Sequence, residues 1–168
     1  KQMGSFHSAG INRLSLGIQS LHNEGLAFLG RAHSVDEACN ALEQALTLFD
    51  RVSADLIYGL PEQTAAEWQQ QLTQIIGFGI QHLSAYQLTI EPGTIFHSRT
   101  RAGAILTAEP DHVADLYELT EDIAAAAGLP AYEVSNYAAA SNQARHNLTY
   151  WQSGHWIAVG PGAHGRIT

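Results

Sequence analysis

The chain has 168 residues, of which 45% are hydrophobic and 14% charged, the balance of a globular protein rather than a disordered one. Its formal net charge of −8 argues against nucleic-acid backbone binding as the main task, because that needs a basic stripe. No apolar run approaches the roughly 20 residues that span a bilayer, and the lone cysteine, Cys39, excludes an internal disulfide framework or a cysteine-based metal cluster within the chain.

Residues 1–7 lack an apolar signal core, so the chain reads as cytosolic. Three segments then follow one plan: residues 13–20, 52–61 and 82–90 each read as a buried strand that ends in a polar residue and a turn. Helices separate them. Residues 35–49 place Val35, Ala38, Leu42, Ala45, Leu46 and Phe49 on one apolar stripe, which Cys39 joins as a core residue. The S-x-x-E run at 34–37 opens that stripe as a capping box, and T-x-x-E at 64–67 does the same ahead of Trp68, Leu72, Ile75 and Ile76. Strand, crossover helix and strand at this spacing predict parallel pairing. Chemistry in such sheets gathers at the C-terminal strand ends, so Gln19, Asp55 and Thr89 are expected around one mouth.

Beyond residue 91 the organisation changes. Glu91-Pro92-Gly93-Thr94 reads as a turn and residues 98–110 as an exposed loop. A helix begins near Asp111 and stops at Gly128, followed by a short strand over 132–135. Residues 1–100 are therefore assigned to barrel material and 101–168 to an appended α+β region.

Asp55 is the residue that most needs a reason, since a carboxylate inside an apolar strand is costly without partners. Two explanations stand side by side: it holds a ligand, or it bonds the Gly59-Leu60-Pro61 turn. Gln19 raises the same question at lower cost. Arg31 falls in the loop after the first strand, where it stays solvated unless an anion occupies the mouth. Of the nine histidines, His146 and His164 stand out. His146 opens H-N-L-T-Y-W at 146–151, beside Tyr150 and Trp151, and His164 follows the glycine-rich turn at 160–163. An imidazole flanked by aromatic planes suits a flat macrocycle. A histidine hydrogen-bonded in an aromatic corner is the plainer reading of the same residues.

The runs N-R-L-S-L-G-I-Q-S (12–20), L-G-R-A-H (29–33), D-L-I-Y-G-L-P (55–61) and L-S-A-Y-Q-L-T-I-E-P-G-T (83–94) resemble the oxygen-independent coproporphyrinogen III oxidase-like family of radical S-adenosylmethionine (SAM) proteins. Y-E-V-S-N-Y (132–137), H-N-L-T-Y-W and G-P-G-A-H-G (160–165) are similar to its HemW branch, the heme chaperones. The resemblance implies an α/β fold: the C-terminal half of a partial (β/α)₆ TIM-like barrel, strands four to six, plus an α+β region. It implies SAM contacts at Gln19, Arg31, Asp55 and Thr89, and heme contacts at His146, His164, Tyr150 and Trp151, with His146 as the iron ligand. It further implies a [4Fe–4S] cluster. The family's Cys-x-x-x-Cys-x-x-Cys loop is absent here, so the chain is expected to be a fragment whose cluster ligands lie elsewhere, inactive by itself. The expected partner is a heme-acceptor protein. Coproporphyrinogen III oxidase activity in porphyrin synthesis is the alternative; residues 141–151 speak for the chaperone branch.

Overall fold

The computed structural model describes residues 2–167. Three parallel strands, β1 (Arg13–Gln19), β2 (Arg51–Tyr58) and β3 (His82–Gln87), form one side of a five-stranded sheet. Two short antiparallel strands, β4 (Ala131–Glu133) and β5 (Asn136–Ala138), complete it in the order β1-β2-β3-β5-β4. Residues beyond 100 thus share the sheet of the first part. Helices α1 (Gln2–Ser8), α2 (Asn23–Phe28), α3 (Val35–Leu48), α4 (Ala65–Gly77), α5 (Ile95–Arg101), α6 (Pro110–Ala126) and α7 (Arg145–Trp151) account for most of the rest. Among the described residues no helix is long and apolar enough to cross a membrane.

Strand alternation divides the sheet into two unlike faces. Leu14, Leu16 and Ile18, Val52, Ala54, Leu56 and Tyr58, and Leu83 and Ala85 face one way and join the core with residues of α3, α4 and α6. The capping boxes at Ser34 and Thr64 form with both reciprocal bonds, which starts α3 and α4 where the sequence places them. Trp68 of α4 is fully buried, tilted against Tyr58 at 5.4 Å, and donates its indole N–H to Thr120 of α6 at 2.8 Å. Cys39 packs partly buried against this core, as the apolar stripe predicts.

The other face carries Arg13, Ser15 and Gly17 on β1, Arg51, Ser53 and Asp55 on β2, and His82, Ser84 and Tyr86 on β3. It is polar, and Ser53, His82 and Ser84 on it are buried.

Several local expectations are corrected. Residues 98–110 are not a free loop: α5 fills the first part, Leu106 is buried, and the Ala108 N–H bonds the Gly59 carbonyl at 2.9 Å. The strand read over 132–135 is instead the hairpin β4–β5, turned at Val134 and Ser135. The helices α1, α2 and α7 were not expected. Each is only six or seven residues long, too short for a periodic stripe.

Candidate functional site: the polar face of the sheet

β1 ends in a bulge. Gly17 pairs with Asp55, but Gln19 pairs with Leu56, so Ile18 is the extra residue. Gln19 takes a left-handed φ of 70°, and its side chain folds back over Gly17 so closely that a Cβ there would lie 2.5 Å from the Gln19 amide nitrogen. Glycine at 17 therefore makes the space that brings the Gln19 amide over the cross-strand neighbour of Asp55.

Asp55 is not at a strand end. β2 continues three residues further, because Ile57 and Tyr58 still pair with Tyr86 and Gln87. Nor does Asp55 hold the following turn: the Gly59 and Leu60 N–H groups donate to Gln63 Oε1 at 2.8 and 3.3 Å. Its own partners lie sideways. The Ser15 hydroxyl sits 2.9 and 3.0 Å from its two carboxylate oxygens. Burial pushes the Asp55 carboxyl above its ordinary range, partly offset by the Ser15 and Ser84 hydroxyls and by Arg13. The site thus presents a carboxylate held mainly by hydroxyls, with Arg13 a smaller influence.

Arg31 is positioned by backbone. The Arg31 N–H bonds the Leu26 carbonyl and the Gly30 N–H that of Ala27, with Gly30 at φ 67°, which is a Schellman stop to α2. His33 Nε2, donating to the Ile18 carbonyl at 3.2 Å, ties the same loop to the β1 bulge. Arg31 itself is exposed. Thr89 lies two residues past β3, hydrogen-bonded to Glu91 at 3.2 Å, and lines a cavity of about 420 Å³ with Ile57 and Tyr86. Gln19 and Asp55 are thereby brought together, with Thr89 beyond the C-terminal ends of β2 and β3.

The aromatic residues form a separate corner. His146 and Tyr150, both exposed on α7, contact the Trp156 ring at centroid distances of 5.7 and 5.4 Å. The Trp156 indole N–H bonds the backbone carbonyl of His164 at 2.8 Å. Trp156, which the sequence did not single out, is what joins His146 to His164. Trp151 points its N–H at Glu133 Oε2, 2.9 Å away.

A chain of polar groups connects the two regions. Ser84, the cross-strand neighbour of Asp55, donates to Asn136 Oδ1 at 2.7 Å. The Asn136 amide nitrogen donates to Glu133, which also accepts from Ser135 N–H and Trp151. None of Ser15, Ser84, Glu133 and Asn136 was named from sequence. The signal was present in the strict alternation of R-L-S-L-G, R-V-S-A-D and H-L-S-A-Y, which marks a polar sheet face.

The chain's similarity to known proteins accords with this geometry. No family profile matches it. It is 43% identical over 167 residues to the mouse radical S-adenosyl methionine domain-containing protein 1, mitochondrial, covering 99% of this chain and 38% of that protein. It is 42% identical over 164 residues to the heme chaperone HemW of Escherichia coli (strain K12), covering 97% of this chain and 42% of that protein. The chain belongs to the HemW-like radical SAM family. It spans about two-fifths of the length of these relatives. The HemW of Mycobacterium tuberculosis (strain ATCC 25618 / H37Rv) is 40% identical over 164 residues, 97% of this chain and 42% of that protein. The fold matches E. coli coproporphyrinogen III oxidase (HemN), a radical SAM enzyme, with a TM-score of 0.77 over 99% of this chain and 41% of that one, at 21% identity. The α/β architecture expected from the sequence is thus the radical SAM fold of that enzyme.

Proposed function

We propose that this chain is part of a heme chaperone of the radical SAM type. In this reading Gln19, Arg31, Asp55 and Thr89 contribute to a SAM site, and His146, Tyr150, Trp151 and His164 to a heme site. The observation that carries it is Asp55: a half-buried carboxylate on the polar face, held mainly by hydroxyls, with Arg13 a smaller influence. The ammonium and ribose hydroxyls of SAM are partners of the right chemistry, and its carboxylate suits Arg31. SAM bound beside a reduced cluster supplies radical chemistry. The roles of this chain's residues are to seat and orient the molecule.

The cluster does not fit Cys39. That thiol packs on α3, and burial together with Asp36 and Glu43 pushes it up, away from the thiolate a metal needs. The described residues hold no group of three His, Cys, Asp or Glu side chains suited to a metal ion. Heme fits better: His146 is exposed, and Tyr150 and Trp156 supply aromatic faces beside it. Identities of 40–42% to proteins named heme chaperones favour this reading over the oxidase alternative.

Hemin titration of the protein and of His146→Ala tests the heme half. The variant is expected to bind at least tenfold more weakly, with a shifted Soret band. A spectrum and affinity identical to the wild type would remove His146 as the ligand. In the cluster-loaded whole protein, Asp55→Asn is expected to weaken SAM binding by about 1.5–3 kcal/mol, the size of a charge-assisted hydrogen bond. Unchanged affinity by calorimetry would return Asp55 to a structural role.

A further inference from the structure

The N-terminal half of the polar face encloses a second cavity, of about 310 Å³, walled by the starts of β1, β2 and β3 and by α7. Arg13, Arg51 and Arg145 all line it, three of only eight lysines and arginines in a chain of net charge −8. Asp55 acts on Arg13 as the weakest of four influences, and the hydrogen bonds of Arg13 and Arg51 go elsewhere. Arg13 donates to the Ser53 hydroxyl at 2.8 Å and the Asn142 carbonyl at 3.0 Å, and Arg51 to the Ser141 carbonyl at 3.4 Å. All of these acceptors are neutral. A guanidinium carries five donors, so both arginines keep donors to spare. Burial holds the Arg13 guanidinium below its ordinary value; Tyr132 and, more weakly, the Asp55 carboxylate oppose that shift, and the nearby Arg51 cation adds to it. The two cations therefore repel one another, at a cost that an anion between them would offset.

His82 forms part of the same wall and is 2% exposed. Its protonation follows from its partners. The Tyr132 hydroxyl accepts from the Ala144 N–H at 3.3 Å and from the Asn147 amide at 3.0 Å, which fills its two lone pairs. It must then give its own proton to His82 Nε2, 2.7 Å away. A neutral His82 consequently carries its hydrogen on Nδ1, and that buried nitrogen has no partner. An orphaned buried donor costs about 1–3 kcal/mol and calls for an acceptor.

We propose that this cavity binds a small multivalent oxyanion, either a phosphoryl group or a polycarboxylate, between the Arg13, Arg51 and Arg145 guanidiniums, with His82 in the wall beside it. Clamping residues 141 and 142 to the sheet explains the bonds of Arg13 and Arg51 to those carbonyls. It explains neither Arg145 nor the unpartnered His82 nitrogen. His146 and Tyr86 also line this cavity, so it adjoins the proposed heme site and the Thr89 cavity, and the titrations are made without heme or SAM.

The test is calorimetric titration of the 168-residue protein with inorganic phosphate and, separately, citrate, at an ionic strength held constant with chloride. Saturable 1:1 binding of at least one of them is expected, weakened tenfold or more in Arg51→Gln and Arg145→Gln, while Arg101→Gln on α5 changes nothing. Preference for phosphate would assign a phosphoryl ligand, and preference for citrate a polycarboxylate. The His82 imidazole nitrogen resonances should move on saturation. Absence of saturation with both anions, affinity unchanged in the Arg51→Gln/Arg145→Gln double variant, or a His82 signal that stays still through binding would each overturn the site. Melting curves of the variants separate lost binding from lost folding.

Discussion

Trp68→Ala is expected to destabilise the protein by about 3–5 kcal/mol, the range for truncating a buried aromatic. Trp68 is completely buried between the sheet and α6, so its removal leaves a cavity lined by Tyr58 and the α6 residues. The lost indole N–H matters less. Thr120 still donates its own proton to the Leu116 carbonyl at 2.7 Å, so only one of its acceptor positions is vacated. Trp68→Phe should accordingly recover most of the stability, leaving a deficit of about 1 kcal/mol for the hydrogen bond. Urea unfolding gives both values directly. A loss below about 1 kcal/mol in Trp68→Ala would mean that α4 and α6 collapse onto the sheet without the ring.

Acid should weaken the fold through His82. Burial, and after it the Arg13 cation, depress this imidazole from 6.5 to about 4. The unfolded chain takes up the proton near pH 6.5, whereas the folded one waits until about pH 4. Stability that is complete above pH 6.5 is therefore lost as pH falls toward 4, by up to about 3 kcal/mol. The groups that face this imidazole are Arg13 and Tyr132, with Ser84 and Asp55 further along the polar face. Asp55 works in the opposite sense. Its raised pKa means the folded state holds its proton to higher pH than the unfolded state does, so its contribution strengthens as pH falls through the folded-state value. Urea midpoints measured from pH 7 to 4 should fall steadily, and His82→Gln should flatten the decline. A level wild-type profile between pH 6.5 and 4.5 would rule out a buried neutral imidazole.

What could be read from the sequence was local. The capping boxes at Ser34 and Thr64 depend on residues three apart, and both formed. The parallel strands showed through their apolar alternation. That Asp55 lies inside β2 was legible too; that it stands three residues short of the strand's end, bonded sideways to Ser15, was not, because that bond joins residues forty apart in the chain. β5 is only three residues long and exists through its pairing with β3 and β4. Helix α7 has no side-chain cap to announce it. His82 was passed over for the same reason: its partner, Tyr132, is fifty positions away in the chain. The polar face as a whole was legible, but reading it required following every second residue across three strands instead of looking at their ends.

Ser84 owns one transferable hydrogen and stands between two groups that both want it, the Asp55 carboxylate and Asn136 Oδ1. It can satisfy only one at a time. With the hydrogen on Asn136, the amide is fixed in the orientation that hands its own hydrogens to Glu133, and Glu133 in turn keeps hold of Trp151. Drawn toward an ionised Asp55, the same hydrogen leaves the amide oxygen short. A cation arriving at Asp55 competes with Ser84 for the carboxylate and frees that hydrogen again. Simple proton counting thus makes Asp55 on β2 and Asn136 on β5 rivals for one atom, although they stand about eighty residues apart in the chain.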